Sequence, residues 1–374
     1  MTTPAHMNKF PRLMSELKIG KLQLKNRVGV APMTRISASE DGQATKTMLD
    51  YYESFAQGGF GFLITEGVYP DAMYSQGYFN QSGIANEKHI DAWRTITGAV
   101  HQAGSKIIVQ LMHAGAQSQG NRYKSEVIAP SDIRAKGEQL PFYVGEGPYK
   151  TPKKMTKADI QEVVHGFAEA AKRAKEAGFD GVEIHGANGY LLDEFLTDYM
   201  NQRTDEYGGS TENRVRILLE VANAVREAVG SDFVVGIRIS QGKVSDYHHK
   251  WAGGEKDAEI IFSRLSSTGL DYIHVTEYDA ARAAFEGTEL TLAALAKKFG
   301  TVPVMANGNL EDPNKAEQLL MSGDADLITL GKGALANHDW PQRILTEQPL
   351  REFNPEILGP KANIKEQELR MAND

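Results

Sequence analysis

Short apolar runs alternating with stripes of helical period, eight times over, are what most limits the folds open to this chain of 374 residues. The runs stand at 28–33, 61–66, 106–110, 181–184, 234–239, 272–275, 302–306 and 327–330. A helical pattern follows each, near 47–57, 89–103, 158–177, 213–229, 258–268, 290–299, 313–321 and 340–347. Eight strands, each followed by a helix, predict an α/β fold, a (β/α)8 TIM barrel of parallel strands, with a doubly wound open sheet as second choice. The pattern at 158–177 is the strongest helix: Ile160, Val163, Val164, Phe167, Ala171 and Ala174 share a stripe, Thr156 with Asp159 resembles a capping box, and Gly178 closes the end. Ahead of the first run, 17–19 and 22–24 flank Gly20-Lys21, a hairpin placed to plug one end of a barrel. The expected organisation is one domain over 1–374, with the barrel at about 26–348, an insertion at 112–155 after strand three and a polar, uninformative tail at 353–374. The insertion carries Phe142, Tyr143 and Tyr149 and reads as a cap over the mouth.

Composition narrows the chemistry. With no cysteine there are no disulfides, thiolate zinc sites, cysteine nucleophiles or cysteine-held iron–sulfur clusters, so redox work requires a bound organic cofactor. A net charge of −8 with no dense run of Lys and Arg argues against a nucleic-acid partner. No segment approaches 18 uninterrupted apolar residues and the first residues lack a signal-peptide core, so the expectation is a cytoplasmic protein without a membrane partner, Met7 offering an alternative start. The pair His248-His249 lacks ligand spacing, and no metal is expected.

In such a barrel the C-terminal tips of the strands converge on one mouth. Strand one ends Ala31-Pro32-Met33-Thr34, strand two Glu66-Gly67, strand three Gln110, and strand four His185, with Asn188 and Tyr190 just beyond. Strand five carries Arg238, strand seven ends Asn307-Gly308-Asn309, and strand eight ends Gly331-Lys332-Gly333. His185 alone reads equally well as a satisfied core histidine. With Asn188 and Tyr190 beside it, it reads as a site. Thr34, Gln110 and Arg238 supply the hydroxyl, amide and guanidinium that a ring of alternating carbonyls and nitrogens would use. Gly308, Gly331 and Gly333 present backbone where barrels often seat a phosphate, and Lys332 adds a positive charge; tight turns are the plainer account of these glycines. Gly331 to Ala336 also fits G-x-G-x-x-A, but too little chain follows to build a dinucleotide-binding half.

The run HGANGYLLDEFL, continuing through NQRTDEYGGSTENR, resembles the signature of the Old Yellow Enzyme family of FMN-dependent ene-reductases. APMT, the Glu-Gly pair, QLMHAG, GIR, ANGN and LGKG fall at strands one, two, three, five, seven and eight in that family's order, and the similarity spans about 26–340. The resemblance implies a tightly bound, non-covalent FMN across the mouth, with Thr34 near its O4, Gln110 at the pyrimidine edge and Arg238 near N1 and O2. Pro32, Met33, Gly67 and Asn307 would complete the ring's surroundings, and Gly308, Asn309, Gly331 and Lys332 would hold the phosphate. His185 and Asn188 would hydrogen-bond the carbonyl or nitro oxygen of an electrophilic alkene, and Tyr190 would supply a proton. NAD(P)H, a transient reductant, would use the same mouth and leave before the alkene binds; monomer and homo-oligomer both stay open. Three positions depart from the commoner pattern. Lys332 stands where many relatives carry Arg, implying looser FMN retention; Met112 replaces a Trp, implying a wider pocket; Gly67 replaces an Ala.

The chemistry agrees with those roles. Two donors on an electron-withdrawing oxygen stabilise the charge that develops as hydride reaches the β-carbon. A placed tyrosine, protonated at neutral pH, is worth roughly 10²–10⁴-fold as an acid at the α-carbon. Nitro compounds and nitrate esters would extend the range. The alternative is a flavin-free lyase or isomerase of a phosphorylated metabolite, with Glu66 or Lys332 as base or Schiff-base former. A binding barrel without turnover leaves the converging polar groups unexplained.

Overall fold

Eight parallel strands close on themselves in chain order: β1 (Val28–Val30), β2 (Phe62–Val68), β3 (Lys106–Leu111), β4 (Gly181–Asn188), β5 (Val234–Lys243), β6 (Tyr272–Thr276), β7 (Val304–Asn307) and β8 (Leu327–Leu330). The computed structural model describes residues 9–371, so the alternative start Met7 lies outside the described residues. Parallel neighbours need a crossover, and helices supply it: Lys46–Gln57, Glu87–Gln102, Lys157–Glu176, Arg216–Val229, Glu255–Ser266, Leu292–Phe299 and Pro313–Ser322, with Trp340–Leu345 after β8. The ring closes through β8 and β1, where Ile328, Thr329 and Leu330 pair with Val28, Gly29 and Val30, which rules out the open sheet. The helix Lys157–Glu176 starts as expected: Thr156 accepts from the Asp159 N–H and the Asp159 carboxylate accepts from the Thr156 N–H.

The lower half of the barrel is solid. Phe62, Ile64, Ile108, Val234, Tyr272, Met305 and Leu327 meet Ile19 and Leu24 of the hairpin (Leu17–Ile19 with Leu22–Leu24), which plugs this end. Each such side chain contributes about 1.5–3 kcal/mol by leaving water. The opposite end, where the strands terminate, is left for chemistry.

Several boundaries differ from expectation. β1 stops at Val30 instead of Met33, because Pro32 has no N–H to continue the ladder beyond Ala31, which donates to Leu330. β4 runs four residues past Ile184, drawn on by β5, whose Lys243 pairs with Asn188 after a register shift. His185 therefore lies within the strand. In β2 the four residues Ile64 to Gly67 oppose three on β3, a bulge that turns Glu66 outward to the helix layer and Gly67 inward. The 112–155 insertion holds short turns at Gly115–Gln117 and Pro141–Tyr143 and a two-residue pairing of Ile128–Ala129 with Lys153–Lys154. The tail carries more information than its composition suggests. Glu368 pairs with Arg35 at 2.5 and 2.8 Å, both fully buried, and Arg35 also donates to the carbonyls of Ala362 and Asn363.

Candidate active site

His185 faces the barrel interior, in register with Arg238 on β5. Its ring lies 5.0 Å from that of Tyr190, tilted by 60°. Between them the chain turns through Asn188, which takes a left-handed φ of 61°, a conformation costing a non-glycine residue about 1–2 kcal/mol. The turn is held from three sides. The Asn188 N–H donates to Ser240 Oγ at 2.8 Å, and its carbonyl accepts from Gln117 Nε2 at 3.0 Å and from the Val244 N–H at 2.9 Å. The Gly189 N–H donates to Asp193 Oδ2 at 2.7 Å, and buried Lys243 donates to both oxygens of that carboxylate at 2.8 Å. Asn188 is thus fixed by its backbone, and its amide is not consumed by these bonds. Tyr190 then leads into the helix Leu191–Leu196, and its hydroxyl bonds that of Tyr78 at 2.6 Å.

Burial, with help from the Arg238 charge, lowers the His185 pKa to about 3, so the imidazole is neutral at physiological pH and offers a donor without a full charge. Burial raises the Tyr190 phenol, which stays protonated. Arg238 is lowered by burial to about 10 and stays charged. Its Nη2 donates to Asn307 Oδ1 at 2.8 Å. Its Nε and His185 Nδ1 are buried polar atoms without a hydrogen-bond partner among the described residues. An unmet buried donor costs about 1–3 kcal/mol, so the mouth is completed by a ligand carrying acceptors.

The remaining expected residues form the floor and one flank of that mouth. Gln110 points inward and donates to Glu183 at 2.9 Å. A side chain on Gly67 would meet the Met112 sulfur at 2.6 Å, so the glycine makes room for Met112 against the strand tip. Met33 lies near Gly331, and the Thr34 carbonyl accepts from the Tyr143 hydroxyl at 3.2 Å. Asn307, Gly308, Asn309, Gly331 and Lys332 line one cleft of about 280 Å³, together with Glu277, Tyr278 and Glu311. Gly308 is required there: its φ is 135°, and a side chain would strike the Glu277 carbonyl at 2.1 Å. Not every expected side chain is offered to a ligand. The Asn307 amide is used up by Arg238, Thr276 and the Thr329 carbonyl, and Asn309 donates to Asp279. Lys332 lies 5.9 Å from the Phe353 ring. Orphaned buried polar atoms at the ring end and a cleft at the far end together fit FMN.

Glu66 is elsewhere. Its carboxylate accepts from Tyr52 on the helix Lys46–Gln57 at 2.8 Å, so the lyase alternative loses one of its two candidate groups. Among the described residues no group of His, Asp and Glu is arranged to hold a metal ion, and no helix is long and apolar enough to cross a membrane. Sequence reading missed Tyr78, Glu183, Asp193 and Lys243, and named Tyr143 only as part of the cap. Only Glu183 carried a signal, a lone charge inside an apolar run.

Residues 12–351 match the model of the NADH:flavin oxidoreductase / NADH oxidase family. The chain is 37% identical over 335 residues to the NADPH dehydrogenase of Geobacillus sp. (strain WCH70), covering 88% of this chain and 92% of that one. It is 33% identical over 346 residues, 90% of this chain, to the NADH oxidase of Thermoanaerobacter brockii, but spans about half, 51%, of that longer protein. Among solved structures, the Old Yellow Enzyme homologue from Zymomonas mobilis superposes with a TM-score of 0.83 at 30% identity, over 96% of this chain and 98% of that one.

Proposed function

The chain belongs to the NADH:flavin oxidoreductase / NADH oxidase family, and on that premise we propose the part each residue plays in an FMN-dependent, NAD(P)H-driven reduction of activated C=C bonds. FMN is the cofactor and NAD(P)H the reductant. When bound, FMN would supply the hydride chemistry that links NAD(P)H to the β-carbon of the alkene. Everything else is done by the protein. Arg238 Nε, Gln110 and the backbone at Gly67 hold the ring system, with Pro32, Met33 and Thr34 along its other edge. Gly308, Asn309, Gly331 and Lys332 hold the phosphate, through backbone more than through the side chain of Asn309.

Neutral His185 and the free amide of Asn188 grip the oxygen that withdraws electrons from the alkene, and they bind it more strongly as negative charge develops. Tyr190 delivers its proton to the α-carbon, and Tyr78 accepts or returns a hydrogen bond as it does so. Met112 and Tyr143 bound the pocket, and the turn Pro141–Tyr143 serves as its lid. The substrate is a small electrophilic alkene such as an α,β-unsaturated carbonyl compound, with nitro compounds and nitrate esters as further candidates. The working compartment we propose is the cytoplasm, a placement that cell fractionation checks.

The observation that carries this reading is the meeting of His185, Asn188 and Tyr190 over a buried arginine with an unused N–H. Purified protein is expected to be yellow and to bleach with NAD(P)H under anaerobic conditions. Tyr190→Phe should slow alkene reduction by about 10²-fold or more while leaving reduction by NAD(P)H near normal. Equal slowing of both half-reactions would remove Tyr190 from the role of acid.

A further inference from the structure

Beneath the mouth lies a charge that the proposed chemistry leaves unused. Glu183 on β4 points into the barrel two residues before His185 and is completely buried. Its Oε1 accepts from Gln110 Nε2 at 2.9 Å, and its Oε2 accepts from the Tyr272 hydroxyl and from His274 Nδ1, both at 2.9 Å. The carboxylate can only accept, so His274 carries its proton on Nδ1. Its Nε2, 2.9 Å from Thr329 Oγ1, therefore receives that hydroxyl's hydrogen. Side chains from β3, β4, β6 and β8 are thereby joined in one network with no direct cation in it. Arg238 donates to the neutral Asn307 amide and not to a carboxylate, which leaves Glu183 as its buried counter-charge.

We propose that Glu183 is a positioning residue: it fixes the Gln110 amide under the ring and, through its charge, sets how readily bound FMN is reduced. The inference rests on the FMN reading above. Reduction adds negative charge to the ring system beside Arg238, and the Glu183 carboxylate offsets part of the attraction that Arg238 exerts. Burial opposes ionisation of Glu183, yet His274, Arg238 and Gln110 hold its carboxyl below the usual carboxylate range, in keeping with a permanent charge. A purely structural role would be served as well by a neutral side chain of the same shape.

Glu183→Gln supplies that side chain. Its oxygen accepts from Tyr272 and His274, and its NH₂ meets the Gln110 oxygen once that amide turns over. The midpoint potential of the FMN-loaded variant, titrated against redox dyes, should rise by a tenfold change in the reduction equilibrium, about 30 mV for a two-electron couple. Glu183→Asp keeps the charge and should stay within threefold of wild type. A Glu183→Gln potential within threefold of wild type, with FMN bound, overturns the inference. Should that variant not hold FMN, Tyr272→Phe decides: it strips a donor from the carboxylate, exposes more of its charge and should lower the potential by a few-fold in the same equilibrium. No lowering overturns the inference equally. Wild-type protein that takes up no FMN shows no flavin absorption, and that result refutes the proposed function before any potential is measured.

Discussion

Replacing Glu66 by Gln tests both the electrostatics of the layer between barrel and helices and the exclusion of Glu66 from the site. The carboxylate is fully buried, with the Tyr52 hydroxyl at 2.8 Å and Ser82 Oγ at 3.4 Å as hydrogen-bond donors and no direct cation. Burial pushes its pKa from 4.5 up to about 7. The folded protein therefore keeps a proton that the unfolded chain gives up above pH 4.5. The stability that this group contributes is greatest below pH 4.5 and is lost as pH rises through 7. Each tenfold in that proton equilibrium is about 1.4 kcal/mol, so the loss totals roughly 3 kcal/mol by pH 8. Gln cannot ionise, and it can still accept from Tyr52 and donate to Ser82. Urea unfolding should find Glu66→Gln about 3 kcal/mol more stable than wild type at pH 8 and less than about 1 kcal/mol more stable at pH 5. FMN content and alkene reduction should not change. A gain of the same size at both pH values refutes the buried-carboxylate reasoning, and a large loss of activity refutes the placement of Glu66 outside the site.

Glu368→Ala leaves Arg35 buried without its counter-charge, a change worth about 3–5 kcal/mol, which the protein can relieve by releasing the tail. Limited trypsin digestion should then cut at Lys365 and Arg370 far faster than in wild type. Lys243→Ala strands Asp193 in the same way and loosens the Gly189 turn; a thermal melt should register a loss of about 3–5 kcal/mol. Gly67→Ala places a methyl 2.6 Å from the Met112 sulfur. Met112 is flexible and can give way, so FMN fluorescence titration should show weakening by about tenfold and no more, equivalent to roughly 1.4 kcal/mol.

The barrel was legible because both of its periodicities are local: a run such as 327–330 is apolar on its own account and becomes β8 with the same bounds. Strand ends were less legible because a partner sets them. Nothing within 181–188 says that β4 continues, since Lys243 and Ser240 on β5 draw it on. The site's nearer groups could be read from tip residues, but Tyr78 sits in a loop without periodicity and enters only through its bond to Tyr190. Arg35 and Glu368 lie 333 residues apart, so no local pattern links them. Glu183 was visible as an oddity, yet its meaning depends on Tyr272 and His274, about 90 residues further along the chain.

The extra residue in β2 decides what kind of vessel the barrel is. Were the same residues to run on from Ile64 in an unbroken pleat, strict alternation would bring Glu66 inward and turn Gly67 out, and an acid would crowd the place reserved for an aromatic ring. One irregular step in a strand thus separates a chamber suited to moving electrons from one suited to moving protons.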